Sequence, residues 1–228
     1  VTQTPETNLE LPEVTTGLVG HWKFDEYTGE VAKDSSDYGH DGSLVGIPTR
    51  AEGKFGGALN FDGVKDYVKI SDASELRLPT TQTISTWYKW AGSGADWMRL
   101  VGKGGDGKRN YGLWVNSGTG EALFQIWGLP ARPGGCEAKS KVAFDTAWHH
   151  LAGTYDGARI QLYYDGILVD AKGCTTTTHT SSHSVTIGFA NADGVPMHSP
   201  FHGFVDEVRI YNRTLSDCEI AALAADPC

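Results

Sequence analysis

What this 228-residue chain lacks narrows its possible functions first. No stretch approaches the ~20 consecutive apolar residues of a membrane span. No C-x-x-C pair occurs, and the eight histidines are not spaced for zinc. There is no Gly-x-Ser-x-Gly elbow, and the glycine-rich run from Gly102 to Gly107 lacks the spacing of a phosphate-binding loop. Positive charge is also short. Nineteen Lys and Arg against 28 Asp and Glu leave a net charge of −9, which argues against a nucleic-acid partner, because a phosphate backbone needs a basic face. A local basic patch would still suffice for an anionic sugar.

What is present points to strands. There are 29 glycines and seven tryptophans, and hydrophobic residues make up 39% of the chain, enough to close a sizeable core. Short apolar runs alternate with turn signals. They are Leu18–Phe24, Gly57–Phe61, Tyr67–Ile70, Thr83–Trp90, Met98–Gly102, Tyr111–Val115, Ala122–Trp127, Trp148–Tyr155, Arg159–Tyr164, Ser184–Phe189 and Gly203–Tyr211. Asp-Gly pairs at 41–42, 62–63, 156–157 and 165–166 suit turns with positive φ, and the last two bracket one strand as in a meander. Only the C-terminal segment reads as a helix. Ser216 is its N-cap, Glu219 completes a capping box, and Ile220, Leu223 and Ala224 form an apolar face.

The four cysteines allow three pairings, of which Cys136 with Cys174 and Cys218 with Cys228 are the expected ones, in an oxidising compartment. The second would close a short loop and tie down the C-terminus. Residues 1–16, rich in Thr, Pro and Glu, read as a linker or arm, and residues 17–228 as one domain. The chain begins at Val1 without a leader pattern, so a mature or excised segment is expected. The sequon Asn212-Arg213-Thr214 is too common by chance to weigh.

Several blocks, taken in order, resemble laminin-G-like jelly-roll domains. Gly20-His-Trp-Lys-Phe-Asp25-Glu26 followed by Asp34 to Gly42 is similar to their opening. Gly56 to Gly63 and then Asp66-Tyr67-Val68 resemble the next block, and Ile84 to Trp87 their first long strand. Trp148 to Tyr155 with Leu162 to Gly166 resembles the centre, and Asp206 to Tyr211 with Asn212 to Ser216 the ending. The resemblance implies an all-β fold: a two-sheet antiparallel β-sandwich of the concanavalin-A-like kind with one short C-terminal helix. It also implies secretion to the extracellular space, often beside a covalently linked glycan-active catalytic domain. Relatives bind sugars or proteins, and fold alone does not choose between them.

In the last strand, period two puts Phe204, Asp206, Val208 and Ile210 on one apolar face. A carboxylate there is costly unless it is paired or bound to a metal. Asp25 at the end of the first strand and Asp62 after Phe61 could converge with Asp206 and backbone carbonyls on a hard cation. Oxygen-only ligands suit Ca²⁺. The resemblance supports a structural calcium ion at this edge and carries over most securely onto Asp206.

Catalytic patterns of this sandwich are missing. No Glu-x-Asp-x-x-Glu pattern would set two carboxylates ~5–5.5 Å apart. Gln125-Ile126-Trp127 carries Trp where similar lyases place a histidine, which removes the expected base. His149-His150 points one ring in and one out, as structural histidines. The expected function is a non-catalytic carbohydrate-binding module. The alternatives are a lyase or hydrolase with unrecognised catalytic residues, or a protein-binding adhesion domain. Trp97, Trp114 and Trp127 with Lys103, Lys108, Arg109 and Arg132 could form an aromatic floor with a cationic rim, suited to a polysaccharide or oligosaccharide, including an acidic one. Asp106, Asn191 and Asp193 could instead hold a ligand-bridging calcium.

Overall fold

The computed structural model describes residues 14–94, 96–105, 109–127, 135–178, 180–190 and 199–225. Among them run the strands β1 (Leu18–Trp22), β2 (Val31–Ala32), β3 (Gly42–Val45), β4 (Thr49–Glu52), β5 (Gly57–Asp62), β6 (Tyr67–Ile70), β7 (Gln82–Trp90) and β8 (Trp97–Lys103). There follow β9 (Tyr111–Asn116), β10 (Glu121–Ile126), β11 (Cys136–Lys141), β12 (Trp148–Tyr155), β13 (Arg159–Tyr164), β14 (Ile167–Gly173), β15 (Val185–Ile187) and β16 (His202–Tyr211), then helix α1 (Asp217–Leu223). They form two eight-stranded sheets. The first has the order β14-β13-β12-β7-β16-β5-β4, with β1 also on β16; the second has the order β11-β10-β9-β8-β15-β6-β3-β2. Every pairing is antiparallel, and sequence-distant neighbours such as β7 and β16 make this a jelly-roll sandwich.

Alternation builds the core. In β10, Ala122, Phe124 and Ile126 enter it while Leu123 and Gln125 face outward; in β7, Ile84 and Tyr88 enter. Gly153 of β12 is required at the centre, where a Cβ would stand 2.1 Å from the Phe124 ring. The Asp-Gly turns form at 62–63, 156–157 and 165–166, with φ of 71° at Gly63, 93° at Gly157 and 80° at Gly166. Asp41-Gly42 is different: Gly42 begins β3, and it is small because a Cβ would meet Val68 at 2.4 Å.

The period-two reading of β16 needs correction. The ladder shifts register between Asp206 and Arg209, and Glu207 takes φ 51°. This extra residue reverses the alternation. Val205 faces the core before the bulge, and Val208 and Ile210 after it. Phe204 and Asp206 therefore lie on the outer face, not among core residues.

Helix α1 forms as its caps dictate. The Ser216 hydroxyl accepts the Glu219 N–H, and Glu219 accepts the Ser216 N–H at 2.8 Å. Ile220 and Leu223 cover Tyr211, Tyr163 and Ala152 on the outer face of the first sheet, with Val14 and Leu18 packed alongside.

Cys136 and Cys174 are joined, with Cα atoms 6.0 Å apart, linking the β11 edge of the second sheet to the end of β14 in the first. Cys218 is also disulfide-bonded, while Cys228 lies outside the described residues. The first bridge closes a 38-residue separation. Replacing Cys136 and Cys174 with alanine should lower the unfolding free energy by about 2–4 kcal/mol in urea titrations.

Candidate functional site

Among the described residues, two places combine buried unpartnered polar atoms with charged side chains in a way that suggests a ligand. The first is the bulge in β16. Strand β7 occupies one flank of β16; the other flank is taken by β5 along 202–205 and by β1 along 208–211. Asp206 sits at the seam between β5 and β1. The β4–β5 turn folds over it. The Phe55 N–H donates to Asp206 Oδ2 at 2.9 Å, the Gly57 N–H donates to Asp25 Oδ1 at 2.7 Å, and the Phe55 ring meets Trp87 edge-on. Asp206 has no exposed surface. Burial pushes its carboxyl up to about 8, against the Phe55 hydrogen bond, and neighbouring Glu207 adds to the rise. Its Oδ1 has no hydrogen-bond partner.

Glycines let the oxygens crowd here. A Cβ on Gly53 would stand 2.3 Å from the Gly57 carbonyl oxygen and 2.7 Å from Asp206 Oδ2; one on Gly57 would stand 2.5 Å from the Phe24 carbonyl oxygen. Among the described residues no three His, Cys, Asp or Glu side chains converge as a metal cluster. The seam offers two carboxylates, Asp206 and Asp25, with backbone carbonyls. This all-oxygen set, with one orphaned carboxylate oxygen, fits a hard cation. Asp62 does not join it. Asp62 pairs with His202, four residues and ~13 Å along β16 from Asp206, and its Oδ1 accepts the N–H groups of Val64, Lys65 and Asp66. The local turn consumes that carboxylate, and these bonds hold it below the usual range although burial opposes them.

The second place is the outer face of the second sheet, where β8, β9 and β10 lie side by side. Trp97, Trp114, Leu123 and Ala190 cluster there. Arg99, Trp114 and Leu123 stand in one cross-strand row, and Gly102, Gly112 and Gln125 in the next. The paired glycines make a trough in which flat side chains lie. A Cβ on Gly102 would stand 3.0 Å from Arg99 Nε, and one on Gly112 2.5 Å from Trp114 Nε1. The guanidinium of Arg99 lies 4.6 Å from the Trp114 ring. That of Arg109 lies 5.1 Å from Trp114 and 5.4 Å from Trp127, and it donates to Gln125 at 2.7 Å.

Of the residues expected on this face, Trp97, Trp114, Arg109 and Trp127 are brought together. Lys103 is not on the rim. It is fully buried, paired with Asp72 at 2.6 Å, and donates to the His183 carbonyl. Asp106, Lys108, Arg132, Asn191 and Asp193 lie outside the described residues. Arg99 is hidden in the sequence inside the apolar run Met98–Gly102. The two-residue step from Trp97 was the signal that both share a face.

The paired histidines are structural. His150 has no exposed surface, hydrogen-bonds Ser85 Oγ at 2.8 Å, and is driven down to about 3 by burial and by Arg209. His149 bridges Asp165 at 2.9 Å and Asp145 at 3.1 Å and stacks on Tyr164. The Asp165 hydrogen bond chiefly raises its pKa, in spite of burial.

Two packed antiparallel sheets with jelly-roll crossings and a short C-terminal helix define a concanavalin A-like sandwich. The chain belongs to the laminin-G-type family of the concanavalin A-like lectin/glucanase superfamily, whose profile matches residues 62–221. Solved structures share the fold. Domain 4 of AbnA, a GH43 extracellular arabinanase from Geobacillus stearothermophilus in complex with arabinotriose, matches at TM-score 0.67 and 20% identity, over 91% of this chain and 98% of that one. The binding domain of Paraclostridial Mosquitocidal Protein 1 matches at TM-score 0.72 and 14% identity, over 93% and 52%. The botulinum neurotoxin serotype D binding domain matches at 0.71 and 9%, over 92% and 52%. The chain thus spans about half the length of these toxin domains. No curated protein sequence matches it.

Because His149 gains two carboxylate partners on folding, its charged form favours the native state. Its contribution should be full below its unfolded value of about 6.5 and disappear as pH rises through the higher folded value. The melting-temperature gap between wild type and His149→Gln should therefore shrink between pH 6 and pH 9.

Proposed function

We propose that the chain is a non-catalytic carbohydrate-binding module of a secreted glycan-active protein, and that its sugar site is the outer face of the second sheet. The observation that carries this reading is the grouping of Trp97, Trp114 and Trp127 with Arg109 and Gln125 on one sheet face. Indole faces stack on sugar rings, and a cation with an amide supplies directional hydrogen bonds. The arabinanase domain, matched nearly end to end and solved with arabinotriose, supports a module carried beside a catalytic domain. The Cys136–Cys174 bridge supports an oxidising, extracellular setting. Binding of the isolated chain to a glycan array, without release of reducing or unsaturated ends, tests the reading. Trp97→Ala and Trp127→Ala should each weaken the retained glycan at least tenfold while leaving the melting temperature within a few degrees. Product release would make the chain an enzyme, and silence across all glycans would favour a protein ligand.

The same reading assigns a structural Ca²⁺ to the seam at Asp206. Asp206 and Asp25 would hold it with backbone carbonyls of the segments at Phe24 and Gly57. A divalent charge there would neutralise a carboxylate that otherwise favours its protonated form. Calcium at ~100 times its dissociation constant would stabilise the fold by about 2.7 kcal/mol. Thermal melts should show a rise with CaCl₂, its loss on EDTA, and no response in Asp206→Asn. A wild-type melt indifferent to both additions would remove calcium from the account.

A further inference from the structure

Among the described residues, Arg99 is a buried cation with no carboxylate partner. Its Nη1 donates to the Gly104 carbonyl at 2.9 Å, while Nε and Nη2 have no partner. These two nitrogens form one edge of the guanidinium, the fork whose parallel N–H bonds match two oxygens of a single anionic group. Trp114 Nε1 and Trp127 Nε1 are also buried and unpartnered. Every one of these groups is a donor. A second cation, Arg109, lies against the same indole and brings its charge near the first. Unsatisfied buried donors are rare because water no longer solvates them, and an unpaired buried charge is costlier still. Gln125 Oε1, in the row of Gly102 and Gly112, is already taken by Arg109, and Glu137 continues that row on β11. A trough whose unpartnered buried atoms are donors, two of them on one guanidinium, is complementary to oxygen-rich negative charge.

We propose that the trough over Gly102 and Gly112 is an anion pocket for the carboxylate or sulfate of an acidic sugar, gripped by the Nε–Nη2 edge of Arg99. This rests on the glycan-binding reading of the same face and narrows it to acidic glycans. Trp97, Arg109 and Trp127 are half-buried whereas Arg99 is sealed, so the sugar enters across those three side chains to reach the floor. The indole N–H groups of Trp114 and Trp127 supply the further donors that a tetrahedral or planar anion accepts.

The test compares affinity-gel retardation and calorimetry against four polymers: polygalacturonate, the same polymer fully methyl-esterified, a sulfated glycan and a neutral arabinan. Wild type should bind polygalacturonate or the sulfated glycan at least tenfold more tightly than the esterified or neutral polymer, and salt should weaken the binding. Which of the two acidic polymers binds identifies the anion. Arg99→Met should lose at least tenfold in acidic-glycan affinity while melting at or above the wild-type temperature, because it removes an unpaired buried charge. A merely structural arginine would lower the melting temperature on removal. Should Arg99→Met fail to fold, Trp127→Phe, which deletes one donor and keeps the ring, should weaken acidic polymers more than neutral ones. Equal binding of charged and esterified polymer, or of neutral glycan alone, would overturn the anion pocket and leave the glycan site standing. Retention of no polymer would overturn both.

Discussion

The first sheet depends on one extra residue in its central strand. The bulge at Asp206 and Glu207 lets β16 hold β5 and β1 end to end on one flank while pairing with β7 along the other. It also buries two adjacent carboxylates with opposite consequences. Glu207 accepts from His21 at 2.7 Å and from Arg209 at 2.5 Å, and these partners hold it below the usual range although burial works against them. Asp206 meets only backbone N–H groups and rises to about 8. The difference is compensation: one carboxylate has protein cations beside it, and the other lies where strands end, glycines crowd and one oxygen stays unpaired.

The two outer faces differ in what covers them. That of the first sheet is covered by α1, by the segment at Val14 and by the β4–β5 turn. Trp87 shows this directly, since its ring meets Phe55 and His150 and its N–H reaches the Leu223 carbonyl. Some of this face's polar groups pair with one another, as His150 does with Ser85 and Tyr163 with Asp217. The second sheet carries tryptophans and arginines instead, with glycines where side chains would otherwise fill the surface. The Cys136–Cys174 bridge ties the two sheets at their β11 and β14 edges, where Lys139 N–H also donates to Asp170 at 2.8 Å.

Much of this was legible locally. The β12–β13–β14 meander follows from Asp156-Gly157 and Asp165-Gly166, and α1 from Ser216 and Glu219, because turn and cap chemistry acts within a few residues. The aromatic face was legible in part, since period two places Leu123 and Gln125 together on β10. Lys103 reads as a rim cation in sequence because nothing near it announces Asp72 or the His183 carbonyl. Asp62 is ambiguous in sequence because a carboxylate beside Gly63 reads equally well as a ligand or as the turn acceptor that the structure shows.

Composition, alternation and short-range spacing by themselves determined an all-β chain of short strands with a capped terminal helix, since each of those signals is contained in one segment. Tertiary structure alone decided where Asp206 points, which turn closes over it, and that Arg99 lies across Gly102 against Trp114. The physical reason is register. A bulge inverts a strand's alternation only in relation to its neighbours, and the Phe55–Asp206 contact joins residues 151 positions apart, far beyond any local pattern.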